Sequence, residues 1–229
     1  MPEPIAANIR RIRERTAEAA LRSGRKPEDI RLMAVTKSVD DQRIREAIAA
    51  GVDILGDNYI QEARGKIDRM GKAIPWHFIG HLQTNKAKYA VRLFDMIESV
   101  DRLDLAIELD RRSRAEGRVM PVLIEVNIGA EANKSGIPLS GVRELVRRML
   151  SLEGLQIKGL MTMPPWFDDP EQARPYFRTL RELRDRLAEE RLPDTAMEVL
   201  SMGMTGDFEA AVEEGATIVR VGRGIFGSR

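Results

Sequence analysis

The sequence has no cysteine and only two histidines, His77 and His81. Without cysteine, the chain cannot form disulfides, a thiolate nucleophile, cysteine-ligated zinc or an iron–sulfur cluster. Two histidines also exclude a histidine-rich metal site, although a carboxylate site stays possible. We therefore predict no metal centre built on soft ligands.

The chain also lacks an excess of either charge and lacks long apolar runs. Its 37 basic and 36 acidic residues give a net charge of +1, so we expect no binding of nucleic acid. No run approaches the roughly 18 apolar residues of a membrane span, and the first residues lack a signal-peptide core. We expect a cytoplasmic protein that contacts no membrane and is a monomer.

The 229 residues are 43% hydrophobic, which favours one domain over residues 1–229 with a sizeable core. Apolar runs alternate with helical patterns, beginning with a pattern over 5–22 that places Ile5, Ile9 and Ile12 on one face. Strands are predicted at 31–37, 52–56, 76–80, 95–100, 120–128, 156–163, 197–202 and 217–222. Helices are predicted between them at 40–50, 58–70, 84–93, 102–116, 138–151, 170–190 and 206–214.

This alternation is typical of βαβ units and a parallel sheet. Eight strands predict an α/β fold, a closed (β/α)8 TIM-type barrel preceded by an extra N-terminal helix. An open doubly wound sheet is the alternative. In a parallel barrel the functional residues lie at the carboxyl ends of the strands.

The first predicted strand ends in Lys37. Burial disfavours a charged ammonium, and a partly neutral amine is what imine formation needs. A lysine that extends to solvent from the strand end is the alternative.

The last two predicted strands end in glycine-bearing loops. Ser201, Met202 and Gly203 precede a predicted helix, and the segment Gly222–Gly227 matches G-x-G-x-x-G. This segment lacks the helix, second strand and acidic residue of a dinucleotide site, but barrel enzymes often bind phosphate with these two loops. Ordinary turns are the alternative; a phosphate-bearing ligand is favoured.

Strand alternation places Ile218, Arg220 and Gly222 on one face. If Arg220 points inward it needs an acceptor, whereas an outward Arg220 would pair with a helix carboxylate. Asn58, after the second strand, is a candidate ligand contact or a helix cap. His77 and His81 are candidate acids or bases, or packing residues.

Seven ordered motifs resemble a known family: Ala34–Lys37, Gly56–Glu62, Trp76–Lys86, Asn133–Gly136, Gly159–Met161, Leu200–Met204 and Val219–Gly222. The chain is similar to the proline synthase co-transcribed homologue family, also called the pyridoxal phosphate homeostasis proteins. The resemblance covers residue 5 to the C-terminus. The sequence departs from the family pattern at Asp57, where the family commonly has Glu, and at Arg223, where Thr is frequent.

The resemblance implies a barrel like the N-terminal domain of alanine racemase, with pyridoxal 5′-phosphate bound as a Schiff base to Lys37. Ser201 and Gly222 match phosphate-binding positions, Arg220 matches an arginine facing the pyridine nitrogen, and Asn58 matches a residue near the ring. Met202 and Arg223 complete the predicted cofactor-binding set. The implied role is intracellular cofactor homeostasis, with recipient apo-enzymes as candidate partners.

Three functions were compared: a carrier without turnover, an amino-acid racemase that uses pyridoxal phosphate, and an aldolase acting through Lys37. A racemase needs a second acid or base opposite the lysine, which a tyrosine of a separate C-terminal domain supplies in alanine racemase-like enzymes. This sequence ends at Arg229, just after the eighth strand, and Arg220 would keep the ring nitrogen unprotonated. We therefore expect a carrier with no catalytic residues of its own.

Overall fold

The computed structural model describes residues 4–131, 133–193 and 195–227. Within them, the strands are β1 (Arg31–Val35), β2 (Ile54–Asp57), β3 (Trp76–Phe78), β4 (Met96–Val100), β5 (Met120–Asn127), β6 (Ile137–Pro138), β7 (Leu155–Thr162), β8 (Thr195–Ser201) and β9 (Ile218–Val221). The helices are α1 (Ile5–Arg22), α2 (Asp41–Ala49), α3 (Ile60–Met70), α4 (Ala87–Leu93), α5 (Leu103–Ala115), α6 (Val142–Met149), α7 (Arg174–Glu189), α8 (Phe208–Glu213) and α9 (Arg223–Phe226).

The eight predicted strands and the first eight helices are confirmed, with ends that differ by at most about one helical turn. Helices α6 and α7 begin later than predicted because 3-10 turns occupy Leu139–Gly141 and Pro170–Ala173. Two short elements, β6 and α9, were not predicted. Helix α9 forms within the G-x-G-x-x-G segment because its Ile225 and Phe226 are buried in the core.

Eight parallel strands close into a barrel, in the order β1, β2, β3, β4, β5, β7, β8 and β9. Strand β9 pairs with β1, where Met33 lies opposite Arg220, and β4 pairs with β5. These two pairings exclude the open doubly wound alternative and confirm the (β/α)8 barrel. Strand β6 lies outside the ring, beside the end of β5.

The helices pack their apolar faces on the outside of the barrel. Helix α6 shows the pattern, since Val142, Leu145, Val146 and Met149 are buried at helical spacing while the residues between them face solvent. Each such side chain stabilises the fold by about 1.5–3 kcal/mol relative to exposure. Helix α1 lies against α8 and α9, which anchors the extra N-terminal helix to the barrel.

Apolar side chains also fill the lower part of the barrel interior. One cluster contains Met33, Ile54, Ile79 and Ile218, and a second contains Met96, Leu123 and Met161. Val199 contacts both clusters. Gly159 lets β7 and β8 approach each other, because a Cβ there would lie 1.9 Å from the carbonyl oxygen of Val199. The interior is thus a packed core, as in other barrels of this type.

Among the residues that the structure describes, we find no helix with the length and apolar content to traverse a bilayer.

Candidate cofactor-binding site

A cavity of about 540 Å³ opens at the carboxyl ends of the strands. It brings together four of the seven residues predicted as cofactor-binding, namely Asn58, Arg220, Gly222 and Arg223. Its other lining residues are Val35, Ile79, Met163, Trp166, Phe167, Pro170, Ala173, Met204, Thr205, Gly206 and Asp207. Polar groups thus face an apolar and aromatic wall.

Arg220 points into the barrel, as strand alternation allowed. It is 3% exposed, follows the interior residue Ile218 by two positions, and lines the floor of the cavity. Its Nη1 donates to the hydroxyl of Ser201 at 2.8 Å, and its Nη2 donates to the carbonyl of Thr162 at 2.8 Å. The acceptors that an inward arginine requires are therefore present, and the outward alternative is excluded.

Glu98 lies behind Ser201 and carries the charge that opposes Arg220. Ser201 Oγ donates to its Oε2 at 2.5 Å, and Nδ1 of His77 donates to its Oε1 at 2.6 Å. Burial alone would raise the pKa of Glu98, but His77, Arg220 and Ser201 together lower it. We call His77, Glu98, Ser201 and Arg220 the interior cluster. Glu98 was missed in the sequence, although alternation from Met96 within β4 points to it.

Glu125 also lies inside the barrel, between the interior cluster and Asp101. Its side chain is 3% exposed, and its Oε2 has no hydrogen-bond partner among the residues the structure describes. Burial, reinforced by Asp101 and opposed by Arg220, raises the pKa of Glu125 to about 7. A carboxyl group that titrates near neutrality therefore lies near the cavity floor.

Lys37 lies at the rim of the cavity rather than in its lining. It is half-buried, and its Nζ lies 5.1 Å from the ring centroid of Tyr59. The flanking residues Val35 and Asn58 do line the cavity. The predicted position at the barrel mouth is confirmed, but the strong burial from which a neutral amine was argued is not observed.

Behind Lys37 lies a second group of charges, which we call the outer cluster: buried Asp57 and Lys66 with partly exposed Glu62. Lys66 is 3% exposed and donates to Asp57 Oδ2 at 2.8 Å and to Glu62 Oε1 at 2.7 Å. Asp57, the residue at which the sequence departs from the family, is fully buried and also accepts from Thr36 Oγ1 at 3.0 Å. Its short side chain therefore links the ends of β1 and β2.

Asn58 enters the cavity because the chain is held on both sides of it. The Oδ1 of Asp57 accepts from the backbone N–H of Tyr59 at 2.9 Å. Gly80, after β3, packs on the Asn58 backbone so closely that a Cβ at Gly80 would lie 2.2 Å from its carbonyl oxygen. The side chain of Asn58 therefore projects from a backbone whose position is fixed.

Besides Lys37, two further predicted cofactor-binding residues, Ser201 and Met202, are absent from the cavity lining. Ser201 is fully buried one layer below it, where its hydroxyl donates to Glu98. The Met202 side chain is buried in the outer core, the apolar layer between the barrel strands and the surrounding helices. Its N–H donates to the carbonyl of Ile218 at 3.1 Å. Alternation along β8 turns Ser201 inward and Met202 outward.

The β8–α8 turn and the start of α9 form the edge of the cavity. Asp207 lies there and accepts from the N–H of Met204 at 2.6 Å, which fixes the turn. A Cβ at Gly206 would meet no atom within 4 Å, and one at Gly222 would meet Val35 only at 3.5 Å. Arg223 is exposed and turns toward this same edge. The two loops thus leave room for a group beside Arg223.

His81 lies on the opposite side of the barrel mouth. It is exposed, with Nδ1 3.3 Å from Ser135 Oγ and 3.9 Å from Asp101 Oδ2. A serine–histidine–aspartate relay needs the two partners on different ring nitrogens, whereas here both approach Nδ1. The arrangement does not activate Ser135.

Aromatic residues cover the cavity from the β7–α7 connection. Trp166 is 71% exposed, while Phe167 stacks on Tyr176 with ring centroids 5.7 Å apart. The other tryptophan, Trp76, is 1% exposed in the outer core. No group of three or more metal-binding side chains is present in the described part of the chain.

Residues 3–229 match the family model described as alanine racemase, N-terminal domain. An alanine racemase of Clostridium difficile, 16% identical with a TM-score of 0.76, shares the fold over 99% of this chain and 57% of its own. The fold is therefore an alanine racemase-type barrel.

Two relatives are much more similar. A pyridoxal phosphate homeostasis protein of Aquifex aeolicus is 44% identical over 222 residues, 96% of each chain. The structure of PipY from Synechococcus elongatus with PLP bound is 36% identical, with a TM-score of 0.81, and covers 94% of this chain and 100% of that one. This chain belongs to the pyridoxal phosphate homeostasis protein family, which confirms the resemblance found in the sequence.

Proposed function

We propose that this protein binds pyridoxal 5′-phosphate at the barrel mouth through a Schiff base to Lys37, and takes part in its homeostasis as a carrier. The observation that carries the proposal is the cavity beside Lys37, which brings Asn58, Arg220, Gly222 and Arg223 together. Pyridoxal phosphate carries an aldehyde, which would condense with the Lys37 amine with loss of water, together with an aromatic ring and a phosphate group. Each has a matching group at this cavity.

The phosphate would lie between the β8–α8 turn and the start of α9. The space at Gly206 and Gly222 admits a bulky group against the backbone, and Arg223 can pair with phosphate oxygens. Ser201 would contribute only by moving its proton from Glu98 toward the cavity. Met202 would contribute through its position in the turn rather than through its side chain.

Arg220 would face the ring, since it lines the cavity floor and keeps its proton under all ordinary conditions. A guanidinium in that place donates to a ring nitrogen and leaves it unprotonated. Asn58 would contact the ring from the β2 side.

The cavity lining also favours a carrier over a racemase. Among its described residues, Asp207 is the single carboxylate, and none is tyrosine or histidine; Tyr59, which lies beside Lys37, is exposed to solvent. Asp207 accepts a hydrogen bond from the N–H of Met204, and His77 is bonded to Glu98. We propose that residues 1–229 act as one cofactor-binding domain, a cytoplasmic monomer that exchanges its cofactor with recipient apo-enzymes.

Borohydride reduction after incubation with pyridoxal phosphate, followed by peptide mapping, tests the lysine assignment. We expect one pyridoxyl group per chain on Lys37, one of eight lysines in the sequence. Lys37→Ala should remove the label, and the matched variant Lys86→Ala should keep it. Stoichiometric labelling of any other lysine would overturn the assignment.

A separate experiment tests the carrier role. The loaded protein is incubated with L-alanine in deuterated water, and the α-proton is followed by NMR. We expect no net formation of D-alanine. Catalytic exchange together with D-alanine, both lost in Lys37→Ala, would replace the carrier by a racemase.

A further inference from the structure

Thr36, the residue on the N-terminal side of Lys37, is held by two side chains of the outer cluster. Nζ of Lys66 donates to the carbonyl oxygen of Thr36 at 2.6 Å. Asp57 accepts from the hydroxyl of the same threonine at 3.0 Å, and the N–H of Thr36 donates to the carbonyl of Gly56 at 2.8 Å. The residue before Lys37 therefore has little freedom to move.

The peptide on the C-terminal side is held by the third member of the cluster. Oε1 of Glu62 accepts from the N–H of Ser38 at 2.5 Å. Ser38 has φ of +57°, in the left-handed region that residues other than glycine rarely adopt. Such backbone strain persists only where surrounding contacts enforce it, and it is common at functional sites.

Lys66 joins the two sides. Its ammonium has three N–H bonds, and the structure gives each an acceptor: Thr36, Asp57 and Glu62. Two carboxylates compensate the one buried charge, which is the condition for a stable buried ammonium. Every hydrogen bond that Lys66 can donate therefore serves to fix the chain around position 37.

We propose that the outer cluster, with Lys66 at its centre, positions Lys37 for its bond to pyridoxal phosphate. The inference rests on the proposed function, since it assigns a purpose to the position of that lysine. Lys66, Asp57 and Glu62 are positioning residues, because they hold Thr36 and Ser38 on either side of Lys37 and lie outside the cavity lining.

Lys66→Met and Glu62→Gln test this inference. The first removes the centre of the cluster, and the second removes the charge that holds Ser38 while keeping the side chain's shape. Lys72→Met is the matched control, because it removes an ion pair with Asp95 at the opposite end of the barrel. Thermal unfolding of each variant first identifies one temperature at which all of them are folded.

Two measurements are then made at that temperature: the rate of borohydride-trapped labelling of Lys37, and the induced circular dichroism of the bound cofactor. We expect a displaced lysine to be labelled at least about tenfold more slowly in Lys66→Met, with a smaller loss in Glu62→Gln. The induced signal, which depends on how the ring is held, should also change in both variants. Lys72→Met should match the unmodified protein in both measurements.

Unchanged labelling and dichroism in folded Lys66→Met would overturn the inference while leaving the proposed function intact. If the unmodified protein is not labelled at Lys37 at all, the proposed function itself fails, so the two failures are distinct. If Lys66→Met does not fold, Glu62→Gln decides alone: unchanged labelling and dichroism overturn the inference, and a loss in both supports it.

Discussion

The outer and interior clusters both contain buried charges at the barrel mouth, but the outer cluster binds the backbone beside Lys37, whereas the interior cluster binds side chains to one another. In the outer cluster, Lys66 binds the backbone beside Lys37 and has an acceptor for each N–H. In the interior cluster, side chains bind one another and end at Arg220, which faces the cavity. The Oε2 of the neighbouring Glu125 has no hydrogen-bond partner in the described part of the chain. Lys66, with an acceptor for each N–H, fixes the backbone, whereas Glu125 lies where a ligand or a proton can change its charge.

The largest effect on stability is expected when the interior cluster loses Arg220. Arg220→Met leaves Glu98 buried without its compensating cation, so we expect a loss of about 3–5 kcal/mol in unfolding free energy. Urea denaturation measures it. Because the remaining carboxylate causes most of the loss, Glu98→Leu combined with Arg220→Met should recover part of it. A single-variant loss below about 1 kcal/mol would show that the pair contributes little.

A second prediction concerns the buried carboxyl of Glu125. Its pKa rises from 4.5 to about 7 on folding, so the folded state keeps a proton that the unfolded state loses in this window. Stability therefore falls as pH rises from about 4.5 to about 7, by up to about 3 kcal/mol. Glu125→Gln should be more stable than the unmodified protein at pH 8 and equal to it below about pH 4.5. An equal difference at both pH values would contradict the raised pKa.

Ser201→Ala sharpens the comparison by removing the link between Arg220 and Glu98. Hydrogen bonds to charged groups contribute about 1.5–3 kcal/mol, and we expect a stability loss in that range. If the hydroxyl also binds phosphate, cofactor retention on dialysis should fall about 10–150-fold without loss of Lys37 labelling. Unchanged retention with reduced stability would assign Ser201 to the interior cluster alone.

The smallest effect is expected at an exposed ion pair outside both clusters. Lys72 and Asp95 are 3.1 Å apart and partly exposed, so Lys72→Met should cost less than about 1 kcal/mol in chemical denaturation. A larger loss, comparable with that of Arg220→Met, would remove the distinction between buried and surface charge on which the comparison rests.

The sequence predicted the barrel because eight apolar runs alternate with helical patterns, and it predicted the cavity from strand ends. Alternation placed Arg220 on one face with Ile218 but left its inward and outward orientations open, and the same rule applied to β4 would have pointed to Glu98. Lys66 could not be found in this way, because a glutamate and a lysine four residues apart usually form an exposed pair on a helix. Its burial depends on tertiary packing of α3 against the ends of β1 and β2.

The exposed Trp166 gives the protein an intrinsic optical signal. It lines the cavity, whereas Trp76, the other tryptophan, is enclosed in the outer core. A chromophore that enters the cavity would quench the emission of the first far more than that of the second. Loading and release could then be followed by fluorescence in real time, without a label, and Trp166→Phe would leave the emission of Trp76 as an internal standard.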